Sequence, residues 1–502
     1  MPQKKIWVII ILCSLGLTLV GLTTELYLGD EIIHFRFAKD IFNTGKRVTS
    51  DSLYGKEFSQ QIHYMFPPLW HLLLAFLWKI VGRVSFIVAQ IYHIFYYALL
   101  LISTYLLGKE IYGGKEGLYS MIFVGTIPMI TVFGILFYVD IPLVALTTLT
   151  FLLILKKRFI PAGFGFGLMY FTKLSGLAFG IPFLLTIFFR NHRDKWLMRI
   201  IGFSLAALTF ILPDVYWRQK NVLEGAWLGS NQKIVNVFVS RVSKNIKRWT
   251  DPAGREKILS LKAPTYGHNS TFLNIKDVTK YFGASLLLLL ILYLIKRNFL
   301  RRDYLLWVPT LFYFLFFIFF FNIDADVRYL LPISPFLSVI ASRAISSGEK
   351  KPLKIFILIL CCAQFLGVLV YVYFHRRIPP EIREAIHYIK GNTPEEAIII
   401  YTEYNLTEYT GRRIFWNLDL KNLFWEDDGA IKSFLKKRSI HYLLVKKEKI
   451  YDDLDFHHLK GYPSSFINRL STFNFSELLL DNTMVSLWKL RTGGDSHRSG
   501  ME

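Results

Sequence analysis

The sequence predicts a polytopic α-helical membrane protein, with about 11 spans and one interfacial helix, that carries a small soluble α/β domain near its C-terminus. Three observations predict it. The 502 residues are 53% hydrophobic and 16% aromatic, and runs such as 6–28 and 304–321 lack the periodic polar face that a soluble helix shows. Lys and Arg concentrate in alternate short connections between the apolar runs. After residue 374 the apolar runs give way to short, alternating charged and apolar segments.

The first run, 6–28, is long and lacks a convincing small-residue cleavage site, so it reads as a span and not as a removable signal. Residues 65–81 open with Pro67-Pro68 and carry His71 and Lys79. Trp70 and Trp78 suit the headgroup level, so this stretch reads as an interfacial helix on the outer surface. The remaining spans are expected near 84–107, 117–137, 140–155, 159–172, 175–190, 198–214, 281–296, 304–321, 329–346 and 354–374. Two of them, 140–155 and 159–172, are short for a bilayer.

Charge orients these spans. The connections 1–5, 108–116, 156–158, 190–199, 296–303 and 343–354 hold 19 Lys or Arg against 5 acids, which marks them as cytoplasmic. The opposite connections 138–142, 172–176 and 322–328 hold only Lys173 and Arg328 as basic residues. A first outer loop covers 29–83 and a second, marked by turns at Pro252 and Pro264, covers 215–280. The membrane domain thus occupies 1–375. Residues 376–491 follow as an extracytoplasmic domain with helical spacing over 381–390, a buried-strand pattern at 397–401, a helix at 428–437 and a second strand at 440–445. That is β, α, β order. The tail 492–502 is expected to be disordered.

A formal net charge of +22 invites a nucleic-acid reading, but the basic residues lie in short loops where the positive-inside bias puts them, so nucleic acid is not expected as a partner. Cys13, Cys361 and Cys362 all fall within apolar runs and form no metal-ligand spacing.

Four polar clusters converge on the outer side. Asp30 and Glu31 follow the first span in Leu-Gly-Asp-Glu. Asp140 stands between two spans in Val-Asp-Ile-Pro, and Lys173 stands between two apolar helices in Thr-Lys-Leu-Ser-Gly. Asp324, Asp326, Arg328 and Tyr329 precede the tenth span. Each has a bland alternative, since acids cap helix ends and interfacial lysines extend to the headgroups. Together they suit a cavity open to that surface and a substrate whose reacting bond lies at headgroup level, such as a lipid-linked phosphosugar. A carboxylate would act as general base on an acceptor hydroxyl, and Lys and Arg would stabilise the departing phosphate. No Gly-rich phosphate loop precedes a helix, which argues against a nucleotide donor.

The order of Leu-Gly-Asp-Glu, Pro-Pro-Leu-Trp-His-Leu-Leu-Leu-Ala, Asp-Ile-Pro-Leu, Thr-Lys-Leu-Ser-Gly and Arg-Tyr-Leu-Leu-Pro-Ile-Ser-Pro resembles the GT-C superfamily of membrane glycosyltransferases. The similarity is greatest to the branch of protein O-mannosyltransferases and lipid A aminoarabinose transferases, and it covers residues 1 to about 375. It implies Asp30 as catalytic base with Glu31 beside it, Asp140 as the second acid, and Lys173 as the family's lysine. It also implies a juxtamembrane helix at the Pro-Pro-Leu segment. Where many relatives carry an arginine early in the second span this chain has Gln90, so Arg83 or Arg328 is expected to replace that phosphate contact. Where some relatives place a metal-binding Glu before Pro-Pro, this chain has His63, Tyr64 and Met65. No metal and no other cofactor is expected, and His63 and His71 read as interfacial side chains.

The expected reaction moves one sugar from a polyprenyl-phosphate donor to a hydroxyl of a lipid, glycan or protein acceptor. Its inverting stereochemistry is implied by the resemblance alone. Asp30, Glu31 and Asp140 form the catalytic set; Lys173, Arg328, Tyr329 and Arg83 hold the donor phosphate; membrane lipids surround the site. The rival reading is a lipid or solute transporter. Transporters place charges deep within spans and show internal symmetry, whereas here the charges gather at one surface.

Overall fold

The computed structural model describes residues 2–26, 31–45, 67–191, 196–222, 279, 282–296, 301–320, 327–346, 351–401, 406–416, 428–437, 440–447, 468, 470–473 and 476–490. Asp30, His63, Asp324, Asp326, most of the two outer loops and the tail lie outside them. The described residues fall into two compact units, one of 2–24, 37–45 and 67–374 and one of 25–26, 31–36 and 375–490.

The first unit is helical, and its apolar helices make the chain an integral membrane protein. Ile6–Thr23, Phe86–Ile111, Trp196–Tyr216, Arg328–Ser346 and the helix starting at Lys351 are long and apolar enough to cross a bilayer. Six shorter apolar helices accompany them, including Leu69–Val81, Asp140–Leu155 and Phe159–Thr172. By length and composition, then, five helices qualify as spans among the described residues, or six with the bent pair described next, against the expected 11 or so.

The expected continuous span 117–137 is broken. Gly114–Gly125 and Pro128–Ile135 meet at a bend of 64°. Pro128 lacks an N–H and drives Ile127 out of the helical region, to φ −59 and ψ 124. The freed Gly125 carbonyl accepts from the Tyr97 hydroxyl at 2.7 Å and from Thr131 Oγ1 at 3.2 Å. Internal side chains thereby replace the hydrogen bond that lipid cannot supply.

The short helix expected at the Pro-Pro-Leu segment forms over Leu69–Val81 and ends at a left-handed Gly82. Its tryptophans correct the sequence expectation. Trp70 and Trp78 are fully buried, and the Trp78 indole donates to the Ser85 carbonyl at 2.8 Å. His71 is buried too, edge-on to Phe37. Phe76 and Ile80, 61% and 68% exposed, form the outward face instead. Bulky aromatic area is worth more inside the core than at the headgroups.

Helix Phe159–Thr172 packs along Trp196–Val222 at a very short distance. A Cβ at Gly163 would lie 2.2 Å from the Phe203 carbonyl oxygen, and one at Gly167 would lie 2.9 Å from that of Ala207. Gly163 and Gly167 are thus a small-xxx-small pair that allows backbone approach in a bilayer. Helix Asp140–Leu155 is buried along nearly its whole length.

The second unit contains a five-stranded sheet of β1 (Ile398–Tyr401), β2 (Arg413–Trp416), β3 (Tyr442–Lys446), β4 (Ser476–Asp481) and β5 (Val485–Leu490), in the order β2-β1-β3-β5-β4. The expected pair is present: β1 and β3 run parallel, with Ile400 opposite Leu443. Both faces are covered. Ile399, Tyr401, Leu444 and Leu487 pack on Ile382, Ile386 and Ile389 of helix Pro380–Asn392. Ile400, Leu443, Val445 and Trp488 pack on Leu435, Leu470 and Phe473. Double burial explains the continuous apolar strand 398–401. The hairpin β4–β5 was not expected from the sequence; Asn482 closes it, its Oδ1 accepting from the backbone N–H of Met484 and of Val485 at 3.1 and 2.9 Å.

Candidate active site

In the first unit, three chain breaks bring polar residues together. Asp140 is the first residue of its helix, where the positive end of the helix dipole favours a carboxylate. Lys173 follows the last residue of Phe159–Thr172, in an extended conformation of φ −155 and ψ 133, before a 3₁₀ turn over Leu174–Phe179. A helix C-terminus in turn favours a cation. The tight turn needs Gly176, where a Cβ would meet the Met169 carbonyl group at 3.0 Å. Arg328 and Tyr329 lie in a second 3₁₀ turn, Val327–Ile333. That turn is pinned by the Tyr313 hydroxyl, which donates to the Tyr329 carbonyl at 2.8 Å.

Lys173 Nζ donates to Asp140 Oδ1 at 2.6 Å, with the two side chains 12% and 3% exposed. The same ammonium lies 4.4 Å from the centre of the Tyr329 ring. The Arg328 guanidinium stands 5.4 Å from that ring and 5.6 Å from the ring of Tyr138. Tyr138 is itself stacked on Phe133. Among the described residues, the Lys173–Asp140 pair and the Arg328 guanidinium are held against two aromatic faces in a setting of low dielectric. Such a setting strengthens each charge interaction relative to water. Chemically, it can bind a singly charged phosphodiester and stabilise further negative charge as it develops.

The second unit holds Glu31, at the first turn of helix Glu31–Thr44. Arg376 meets it with two hydrogen bonds, Nη2 to Oε2 at 2.6 Å and Nε to Oε1 at 3.2 Å, and both side chains are fully buried. Glu31, expected in the catalytic set, is thus held in an ion pair within this unit. A planar guanidinium bound to both oxygens of a buried carboxylate fixes that carboxylate's position. Around it, the Tyr409 hydroxyl donates to the Leu26 carbonyl at 3.1 Å, and Arg36 Nε donates to Glu408 at 2.9 Å. Burial, and then the Glu31 and Glu25 carboxylates, push the Tyr409 hydroxyl well above the ordinary tyrosine range, so it stays a neutral donor.

The structure therefore joins Asp140, Lys173, Arg328 and Tyr329. Arg83 is exposed in the turn after Gly82 and takes no part in this cluster's ion-pair or ring contacts among the described residues. Gln90, where relatives carry an arginine, is buried and donates to the Ile135 carbonyl at 3.3 Å. Sequence reasoning missed Tyr138, whose ring flanks Arg328, although it lies two residues before Asp140. It also missed Asp214, buried beside Pro213 and accepting from the Tyr170 hydroxyl at 2.7 Å. An acid in the last turns of an apolar helix was the available signal.

A family described as Dolichyl-phosphate-mannose-protein mannosyltransferase matches residues 66–217, a stretch that includes Asp140 and Lys173. ArnT from Cupriavidus metallidurans, in a crystal structure bound to undecaprenyl phosphate, superposes with a TM-score of 0.64 at 12% identity over 96% of this chain and 97% of that one. The oligosaccharyltransferase of Archaeoglobus fulgidus, in complex with Zn and sulfate, superposes with a TM-score of 0.61 at 13% identity over 88% of this chain and 68% of that one. No curated protein sequence matches. The family match and both neighbours agree with the GT-C resemblance carried by the order of the motifs.

Proposed function

We propose that this chain, with its GT-C fold, is a glycosyltransferase that moves a sugar from a polyprenyl-phosphate donor to a hydroxyl acceptor at the extracytoplasmic face, with inversion. The observation that carries this reading is the ion pair of Lys173 and Asp140 under the ring of Tyr329, with Arg328 on the same ring. A polyprenyl-phosphate sugar carries one negative charge at its phosphodiester. When the bond from the anomeric carbon to the phosphate oxygen breaks, the departing phosphate monoester gains a second charge. The Lys173 and Arg328 cations bind the first charge and stabilise the second more strongly, which is the differential that lowers a barrier.

In this reading Lys173 and Arg328 hold the phosphate, while Tyr329 orients both cations. Asp140 keeps Lys173 aimed and positions the sugar or acceptor. Asp30 takes the proton of the acceptor hydroxyl as its oxygen attacks the anomeric carbon, so one C–O bond forms as another breaks. Arg83, exposed, serves at most to draw the anionic headgroup to the surface. The ArnT neighbour's undecaprenyl phosphate supports a polyprenyl carrier, and the basic loops 156–158 and 190–199 support the outer face.

The test is deletion of the gene followed by mass analysis of lipid-linked sugars. One polyprenyl-phosphate sugar should accumulate and be cleared by the wild-type chain but not by Asp30→Asn at equal membrane level. An unchanged lipid profile would sink the transferase reading. Clearance by Asp30→Asn would sink only the base assignment.

A further inference from the structure

In the membrane unit, helix Ser334–Ser346 begins directly after the 3₁₀ turn of Arg328 and Tyr329, and its last turn carries a second polar cluster around Arg343. Asp303, buried, accepts from the Tyr112 hydroxyl and from the Tyr293 hydroxyl, each at 2.5 Å. These bonds tie the end of helix Phe86–Ile111 to helix Ala284–Lys296 and to the start of Tyr304–Phe320. Arg302 Nη1 donates to the Ile111 carbonyl at 3.2 Å. The Arg343 guanidinium lies 5.4 Å from the centre of the Tyr112 ring. Two guanidinium groups thus converge on residues 111 and 112, beside a carboxylate whose two oxygens each already accept from a tyrosine.

Arg343 is the group that this cluster leaves unsatisfied. The residue is half-buried, and its buried Nε has no hydrogen-bond partner among the described residues. The guanidinium also forms no ion pair among them. A planar fork of N–H donors, held on an aromatic face and lacking an acceptor, matches the oxygens of a phosphate. The surroundings say which kind of phosphate. The helix that carries Tyr293 exposes Ile291, Leu294 and Ile295, and Tyr304, next to Asp303, is exposed as well. Apolar side chains exposed next to a basic cluster fit acyl chains below a headgroup, whereas a soluble anion gains nothing from them. Residues 112, 302 and 343 also belong to three of the connections whose Lys and Arg mark the cytoplasmic side, where the leaflet holds anionic phospholipids.

We propose that Arg343, with Arg302 and Tyr112, binds the phosphate of an anionic phospholipid in the cytoplasmic leaflet, at a site separate from the cluster of Lys173 and Arg328. Arg343 and Arg302 supply the charge. Tyr112 holds Arg343 through its ring, and Asp303 fixes Tyr112 through its hydroxyl. The site goes beyond the transferase reading and does not depend on it, because none of its residues belongs to the donor cluster.

The test is native mass spectrometry of the full-length chain in detergent with dioleoyl phosphatidylglycerol and dioleoyl phosphatidylcholine, which differ only in headgroup. One phosphatidylglycerol should bind at least tenfold more tightly than phosphatidylcholine. Arg343→Gln should lower that affinity at least tenfold, the scale of a lost charge-assisted hydrogen bond. Lys156→Gln removes an exposed charge from the same side and Arg328→Gln removes one from the donor cluster; each should leave phosphatidylglycerol affinity within twofold. Arg302→Gln, at an exposed residue, serves where Arg343→Gln does not fold, and should weaken binding at least threefold. Equal affinity for the two lipids would overturn the proposal. So would wild-type binding by folded Arg343→Gln, or by Arg302→Gln in its place, and so would a loss in Lys156→Gln as large as that in Arg343→Gln. A loss confined to Arg328→Gln would put the lipid in the donor cluster, and displacement by inorganic phosphate would assign the site to a soluble anion; either result sinks the proposal.

Discussion

Lys173 is held by two neighbours that act on its charge in the same sense, the Asp140 carboxylate and the π-face of Tyr329. Removing the ammonium leaves a carboxylate of 3% exposure without its cation, a change that typically costs about 3–5 kcal/mol. Lys173→Ala should therefore melt well below wild type in detergent, and Lys173→Ala combined with Asp140→Asn should recover part of the loss. A double variant no more stable than the single one would disprove the coupling. Binding of undecaprenyl phosphate should weaken at least tenfold in Lys173→Ala, and titration of the purified protein checks it. These residues were legible because each stands in a short polar interruption between apolar runs. Arg376 was not, since it meets Glu31 across 345 positions of sequence and nothing local marks either as a partner.

At the scale of elements, the close pairing of Phe159–Thr172 with Trp196–Val222 is the sharpest steric constraint in the membrane unit. A side chain at Gly163 meets backbone at 2.2 Å, and backbone cannot rotate away as a side-chain tip can. Gly163→Val should force these helices apart and abolish a stable, monodisperse protein on size exclusion. Gly367→Ala, where nothing lies within 4 Å, should be neutral or stabilise by up to about 1 kcal/mol through helix propensity. The helices themselves were legible from apolar runs. The break at Pro128 was present in the sequence but hidden by continuous hydrophobicity on both sides. The burial of Trp70 and Trp78 was hidden because a tryptophan suits both a core and a headgroup layer, and only packing decides between them.

For the whole molecule, the charge asymmetry of the loops makes a definite orientation testable. Glu31 and Asp140 are buried and would label poorly, so exposed positions are the better probes. In a cysteine-free background, Arg83→Cys and Glu395→Cys should react with an impermeant maleimide in intact cells, and Lys156→Cys only after permeabilisation. Labelling of positions 83 and 156 from the same side would refute the orientation. The strand order has a consequence for biosynthesis. β5, made from residues 485–490, lies inside the sheet between β3 and β4, and Val485 and Leu487 complete the apolar layer under helix Pro380–Asn392. Glu25, Leu26 and Glu31 leave the ribosome early, yet the sheet of the unit that holds them is complete only when β5 emerges, roughly 25–90 s later at about 5–20 residues per second. Until then the second unit lacks an inner strand, so a premature stop before β5 should leave that unit unfolded behind an inserted membrane unit, which limited proteolysis of the truncated chain would show.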